Sequence, residues 1–383
     1  MSSRPSPHPP SPDDLRSHVR LACVPGIGSR LRRLLLDRFG TPEGVFAASP
    51  TEIASVGRIG RKLAESLATL ADDSTADKVI ALCRKQAVTI LREGSDGYPG
   101  LLSRIDDPPG LLFVRGAILP QDSLAVAIVG ARHATTYGLK VAEQLGAGLA
   151  RAGYTVVSGL ARGIDAAAHR GAINAGGRTL AVLGSGVLNV YPPEHADLAH
   201  EVIEAGALIS ELPPLTDPNA GTFPQRNRIV SGMSLGVVVV QAADRSGALI
   251  TSRLAMEQGR EVFAVPGPID CRMSRGCHQL IRDGAKLVSS VDDILEEFGP
   301  LFETATTADG RAVKSAAEMQ LGDIERQVLD ACDALAGNAA KPVSIDDLVD
   351  SSGLAASQVL ATLGVLEMRR LIRRVPGNQI ARS

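Results

Sequence analysis

The sequence predicts an α/β chain organised around a doubly wound parallel sheet, with a helical domain before it and a winged helix after it. Three observations predict this. Between residues 124 and 298, short runs of Val, Ile, Leu and Ala alternate with helical patterns. Sustained β–α alternation with strands apolar on both faces means a parallel sheet covered by helices on each side. Before it, the segments VPGIG at 24–28 and VGRIG at 56–60 each lead into an apolar helix with basic residues. After it, a helix, a turn at 351–353, a second helix and a short Val/Ile tail follow in winged-helix order.

Composition sets the outer bounds. The 383 residues suffice for two or three domains, and a net charge of −2 means that any nucleic-acid binding comes from a local basic surface. Aromatic residues make up only 3% of the chain and Trp is absent, so a Phe in a polar loop stands out. Cys23, Cys83, Cys271, Cys277 and Cys332 contain no CxxC pair, which fits a reducing compartment. No apolar run approaches the ~20 residues of a membrane span, and no signal-peptide pattern opens the chain. The expectation is a cytoplasmic protein.

In chain order, residues 1–12 (MSSRPSPHPPSP) are Pro/Ser-rich and read as a disordered tail. Residues 13–76 form the helical domain, a duplicated helix-hairpin-helix or SAM-like unit. Its hairpin turns point backbone N–H groups outward, as a phosphate would require. Residues 1–71 hold ten Arg and Lys against six Asp and Glu, which agrees with DNA contact. A small bundle with a solvated basic face fits equally, because Arg58 replaces Gly26 of the first hairpin. Residues 77–299 form the sheet domain. Within it, 77–123 is a connecting α/β segment with one strand at AVTILREG, expected to pack on the sheet that follows. Residues 300–320 lose periodicity and read as a linker. Residues 321–383 form the winged helix, whose recognition position is mostly Ala, Leu and Val and poor in base-reading side chains.

The sheet domain carries the chemistry. In open α/β sheets, ligands bind outside the carboxyl ends of the strands, where helix N-termini favour anions. The loops there bring together Arg132, Arg162, Asp165, His169, Phe223, Arg226, Arg228, Arg245, Ser246 and Gly247. The first loop, GARHATTYG, lacks the GxGxxG spacing of a dinucleotide site, so no nucleotide cofactor is expected. Phe223 follows the polar segment PPLTDPNAGT, with Arg226 and Arg228 in the helix turns behind it. A ring beside cations is what single strands use, since bases stack on the ring while cations track phosphates. The alternative is that Phe223 caps the core and the arginines pair with nearby carboxylates. Asp165 and His169 stand at i and i+4 on one helix and read as a structural pair shaping the loop. Cys271, Cys277 and His278 do not supply a tetrahedral set, so no metal is expected.

Taken together, GARHATTYG, SGLARGIDAAAH, LGSGVLNVYPPEH, ISELPP, FPQRNRIVSG, SGALITSRLAMEQGREVFAVPG and GCHQLIRDGA resemble the bacterial DNA-processing protein A family (DprA/Smf) across about 124–288. The resemblance implies an extended Rossmann-like doubly wound domain that binds single-stranded DNA without catalysis. It also implies a homodimer that protects incoming strands and loads the RecA recombinase during natural transformation. By motif, Gly130, Ala131 and Arg132 would hold phosphate, Phe223 would stack on a base, Arg226 and Arg228 would lie near the strand, and Ser246 and Gly247 would line the groove. Arg162 joins them from the second loop. Two other functions remain open. One is a nucleotide-cleaving phosphoribohydrolase on the same architecture, which would need Glu257 in the segment SGALITSRLAME. The other is a duplex-DNA regulator acting through the winged helix.

Overall fold

The computed structural model describes residues 12–69, 74–298, 321–336, 341–369 and 371–382. The expected tail, apart from Pro12, and the linker at 300–320 lie outside the described residues. The sheet strands in chain order are β1 (Val88–Arg92), β2 (Leu111–Gly116), β3 (Ala125–Val129), β4 (Thr155–Ser158), β5 (Thr179–Val182), β6 (Gly206–Ser210), β7 (Gly236–Val239), β8 (Glu261–Ala264) and β9 (Lys286–Leu287). They form one sheet in the order β1-β2-β6-β5-β4-β3-β7-β8-β9.

From β6 to β9 all neighbours are parallel. The chain winds outward from β3 through β4 and β5 to β6, then returns to the other side of β3 for β7 and β8. The winding therefore reverses between β3 and β7, and the loops that leave these strands part there to form a crevice. Burial on both faces explains the all-apolar strands. Ala127 and Val129 face one layer with Val237 and Val239, while Val126 and Ile128 face the other with Val238 and Val240.

Segment 77–123 packs on the sheet, as expected, and also extends it: Cys83 shares a core with Phe113, Ala181 and Leu208, and Leu102 and Ile105 share one with Ala127 and Val237. β1 pairs antiparallel with β2, and β2 pairs antiparallel with β6 through Phe113 opposite Ser210. β1 and β2 are consecutive and antiparallel, so they need no crossover helix between them.

The N-terminal helices are Pro12–Ala22, Ser29–Phe39, Pro42–Ala47, Pro50–Ala54 and Arg61–Thr69. Gly26 in the first hairpin has φ +90° and Arg58 takes the same left-handed turn in the second, at φ +71°. That conformation costs an L residue roughly 1–2 kcal/mol. This domain docks on the sheet domain by burying Val19 of its first helix in one core with Phe113 and Leu208, and through polar contacts: Arg32 with Glu93 at 3.5 Å, Ser29 with Asp107 at 3.5 Å, and Arg33 with the Asp106 carbonyl.

The C-terminal domain combines helices Asp323–Ala336, Ile345–Ser352 and Ala356–Met368 with β10 (Val343–Ser344), β11 (Ile372–Val375) and β12 (Gln379–Arg382), ordered β10-β12-β11. Ser344 caps the second helix by accepting from Asp346 N, and Gly353 makes the tight turn at φ +66°. The third helix leaves Leu360 and Met368 exposed. Among the described residues, no single helix is long and apolar enough to cross a membrane.

Candidate nucleic-acid interface

Two loops flank the reversal point, and side chains bolt them together. Thr135 caps the helix Thr136–Arg151 by accepting from Gly138 N at 3.2 Å. Gln241, just beyond β7, accepts from Thr135 N at 2.9 Å and donates to Thr135 Oγ1 at 2.8 Å. On the β7 side, Ser246 Oγ accepts from Ala248 N and caps the helix Gly247–Glu257. The N-terminus of that helix opens onto the crevice, a place where anions are stabilised by the aligned backbone dipoles.

The crevice is about 590 Å³, with Gly130, Arg132, Tyr191, Phe223, Ser246 and Thr251 among its lining residues. Phe223 enters from the first turn of the helix Thr222–Gly232. Its ring rests on Gly184, where a Cβ would lie 2.6 Å from the ring edge, so only glycine admits it. Tyr191 stands beside Phe223 with centroids 5.6 Å apart and planes tilted by 44°. The Arg132 guanidinium covers the Phe223 ring, 5.3 Å from the centroid. Arg132 is exposed and has no carboxylate partner among the described residues.

The other candidate cations occupy different places. Arg162 is exposed but pairs with Glu194 at 2.5 Å, beside Tyr191. Arg226 is buried in the crevice floor, where it donates to the carbonyls of Gly159, at 2.8 Å, and Val182. A Cβ on Gly159 would lie 2.3 Å from that guanidinium, so the floor requires glycine as well. The expectation for Arg228 needs correction. Its side chain is only 7% exposed and bonds Glu211 at 2.5 Å and Asp107 at 3.2 Å. Two positions on from Arg226, the helix turns it away from the crevice toward β6 and the segment before β2. Burial raises the Glu211 pKa, and the Arg228 charge opposes that shift.

Asp165 and His169 share a helix but serve different partners. Asp165 accepts from Gly159 N at 3.1 Å and Ala161 N at 3.3 Å, holding the loop after β4. Burial raises its pKa against the opposing charge of Arg226. His169 Nδ1 lies 2.7 Å from Thr179 Oγ1, whose own proton goes to the Val156 carbonyl at 2.8 Å. Nδ1 therefore carries the imidazole proton. Burial, with His195 and Arg226 nearby, pushes the His169 pKa down to about 3.

Cys277 lies in the core with its thiol against the Val239 carbonyl, and burial pushes its pKa up to about 12. His278 Nε2 meets the Gly267 carbonyl. Among the described residues, no group of three or more His, Cys, Asp or Glu is placed to hold a metal. Glu257 is the exposed last residue of the helix that Ser246 caps, about 15 Å from the crevice end at ~1.5 Å per residue.

Sequence reasoning missed Tyr191 and the Thr135–Gln241 bridge. The signal for Tyr191 was one of only four tyrosines, placed before Pro-Pro in a loop leading from β5. The bridge left none, because its partners are far apart in the chain.

Fold and site define a doubly wound α/β protein with an anion-favouring crevice and paired rings at the reversal point, flanked by helix-hairpin-helix and winged-helix domains. The family described as DNA recombination-mediator protein A matches residues 89–299, the DprA winged helix domain matches 312–378, and the SAM-like helix-hairpin-helix tandem matches 20–69. The chain belongs to this DprA/Smf family. It is 40% identical over 287 residues to Protein Smf of Escherichia coli K12, covering 75% of each chain. It is 44% identical over 221 residues to DNA processing protein DprA of Bacillus subtilis, covering 57% of this chain and 74% of that one. The structure of DNA processing protein A from Streptococcus pneumoniae matches with TM-score 0.63 and 36% identity, over 73% of this chain and 95% of that one. A second structure is of the Helicobacter pylori DNA processing protein A, described for its single-stranded DNA binding mode. It matches with TM-score 0.50 and 27% identity, over 55% of this chain and 95% of that one.

Proposed function

We propose that this chain binds single-stranded DNA in the crevice, without catalysis, as a DNA-processing protein of natural transformation. The observation that carries this reading is the Arg132–Phe223–Tyr191 cluster beside the helix that begins at Gly247. The contact between an exposed guanidinium and a ring is worth only ~0.5–1 kcal/mol. An arriving strand offers more on both sides: a phosphate for Arg132 and a base for Phe223. Stacking contributes ~1–3 kcal/mol per base. Arg132 leaves the ring, the base takes its place, and Gly130, Ala131 and Gly247 present backbone N–H groups to the phosphates, while Ser246, whose own N–H bonds the Ala243 carbonyl, lines the groove. Arg162 exchanges Glu194 for phosphate at the edge. Arg226 contributes a fixed positive floor and positions Gly159 rather than reaching the strand.

Binding of labelled oligo-dT at increasing salt tests this. The log affinity should fall linearly with log salt, by ~0.7 per phosphate contacted. Binding that is insensitive to salt would contradict the reading. Family membership and the Helicobacter neighbour support the same ligand.

In this reading the protein acts in the cytoplasm as a homodimer and delivers the strand to RecA. Light scattering tests the dimer, where a monomer mass at micromolar concentration contradicts it. Delivery is tested by RecA filament formation on oligonucleotides already coated with single-strand-binding protein. Nucleation no faster than with RecA alone contradicts it.

A further inference from the structure

Arg132 forms a wall of two hollows. Besides the crevice, it borders a basin of about 380 Å³ between the loops after β3 and β7 and the short turn Arg272–Ser274. His133, Arg245 and Arg272 line this basin with it, and all four side chains are exposed. Asp244 is the carboxylate among the lining residues, and it lies 3.9 Å from Arg275 outside the basin. The side chains of Arg245 and Arg272 have no hydrogen bond or ion pair among the described residues. Like charges gathered around one hollow repel one another, and an anion placed among them removes that repulsion.

A ring stands next to the basin. Tyr137 is 45% exposed while its hydroxyl donates to the Pro266 carbonyl at 2.9 Å. That bond fixes the ring beside Gly267, whose Cβ position is 4.0 Å from Tyr137 Cε1 and 2.3 Å from Ser274 Oγ. Cations together with an anchored, half-exposed ring repeat the chemistry of the crevice.

We infer that the basin is a second seat for the same single strand, which crosses Arg132, lays phosphodiesters on Arg245 and Arg272, and stacks a base on Tyr137. This inference rests on the single-strand reading of the crevice. The strand then runs over the reversal point instead of ending at it.

The test is fluorescence anisotropy of the full chain with oligo-dT of 4, 8 and 20 nucleotides, for wild type, Arg245→Ala/Arg272→Ala and Tyr137→Leu. Removing two phosphate contacts should weaken binding of the 20-mer roughly tenfold and make the salt slope shallower by ~1.4. The affinity gained by lengthening the oligomer should shrink accordingly. Tyr137→Leu should weaken binding about fivefold or more at an unchanged slope, as loss of one stacked base requires. Wild-type affinity and slope in the arginine variant at every length would overturn the basin, and wild-type affinity in Tyr137→Leu would overturn its stacking role. In either case wild-type binding stays intact, so the crevice reading survives. If wild type binds no oligomer, the crevice reading itself fails.

Discussion

Arg132 and Phe223 meet across the reversal point of the sheet, guanidinium over ring at 5.3 Å, although one follows β3 and the other opens the helix after β6. Neither residue needs the other for folding: Arg132 is exposed and Phe223 half-buried. The pair sets an exposed guanidinium, with no carboxylate at ion-pair distance among the described residues, beside a half-buried ring, the arrangement that the proposed single strand would use.

Phe223→Ala should weaken oligo-dT binding by ~1–3 kcal/mol, the range for one stacked base. Its melting temperature should stay close to wild type, because the ring is only half-buried. Phe223→Tyr should retain affinity. Anisotropy titration with a parallel thermal melt checks both, and an alanine variant that binds normally would remove the ring from the site.

Arg228→Met should do the reverse. It strands Glu211, so breaking this buried pair should cost ~3–5 kcal/mol of stability. Affinity for oligo-dT and its salt slope should not change in the folded fraction. Restoring stability with Arg228→Met/Glu211→Leu, read by urea unfolding, would identify the loss as an uncompensated carboxylate.

Gly159→Ala should damage the floor of the crevice. The new methyl meets the Arg226 guanidinium at 2.3 Å and must displace it from the Gly159 and Val182 carbonyls. Overpacking of this kind costs ~1–3 kcal/mol. Oligo-dT affinity should fall with stability, in contrast to Arg228→Met, where stability alone falls.

His169 links stability to acidity. Its folded pKa of about 3 lies below the unfolded value near 6.5, so the unfolded chain binds the extra proton between these limits. The contribution is complete above pH 6.5 and is lost as pH falls toward 3. At pH 5 the loss amounts to ~2 kcal/mol relative to pH 7, at ~1.4 kcal/mol per pKa unit. Urea unfolding at the two pH values checks this against His169→Gln, which should lose that part of the pH dependence.

Much of this was legible in the sequence because it is written in local patterns. The all-apolar runs at β3 to β8 announced a sheet buried on both faces, and Phe223 in a polar loop marked a ring that the structure leaves half-buried at the strand ends. The fate of the arginines was not legible. Arg226 and Arg228 stand two apart on one helix, and whether each meets solvent, a carbonyl or a carboxylate depends on what packs against that helix. Glu211 at the end of β6 and Asp107 before β2 supplied the partners for Arg228, and no spacing in the chain links them. Tyr191 was hidden for the same reason. It reaches Phe223 only after the loop following β5 has folded back over the strand ends.

The most direct test is the affinity of Arg132→Ala/Phe223→Ala for oligo-dT at physiological salt, beside wild type in the same titration. Loss of both the phosphate and the base contact should weaken binding at least tenfold, with a shallower salt dependence and an unchanged melting temperature. A double variant that binds as tightly as wild type would place the strand elsewhere on the molecule.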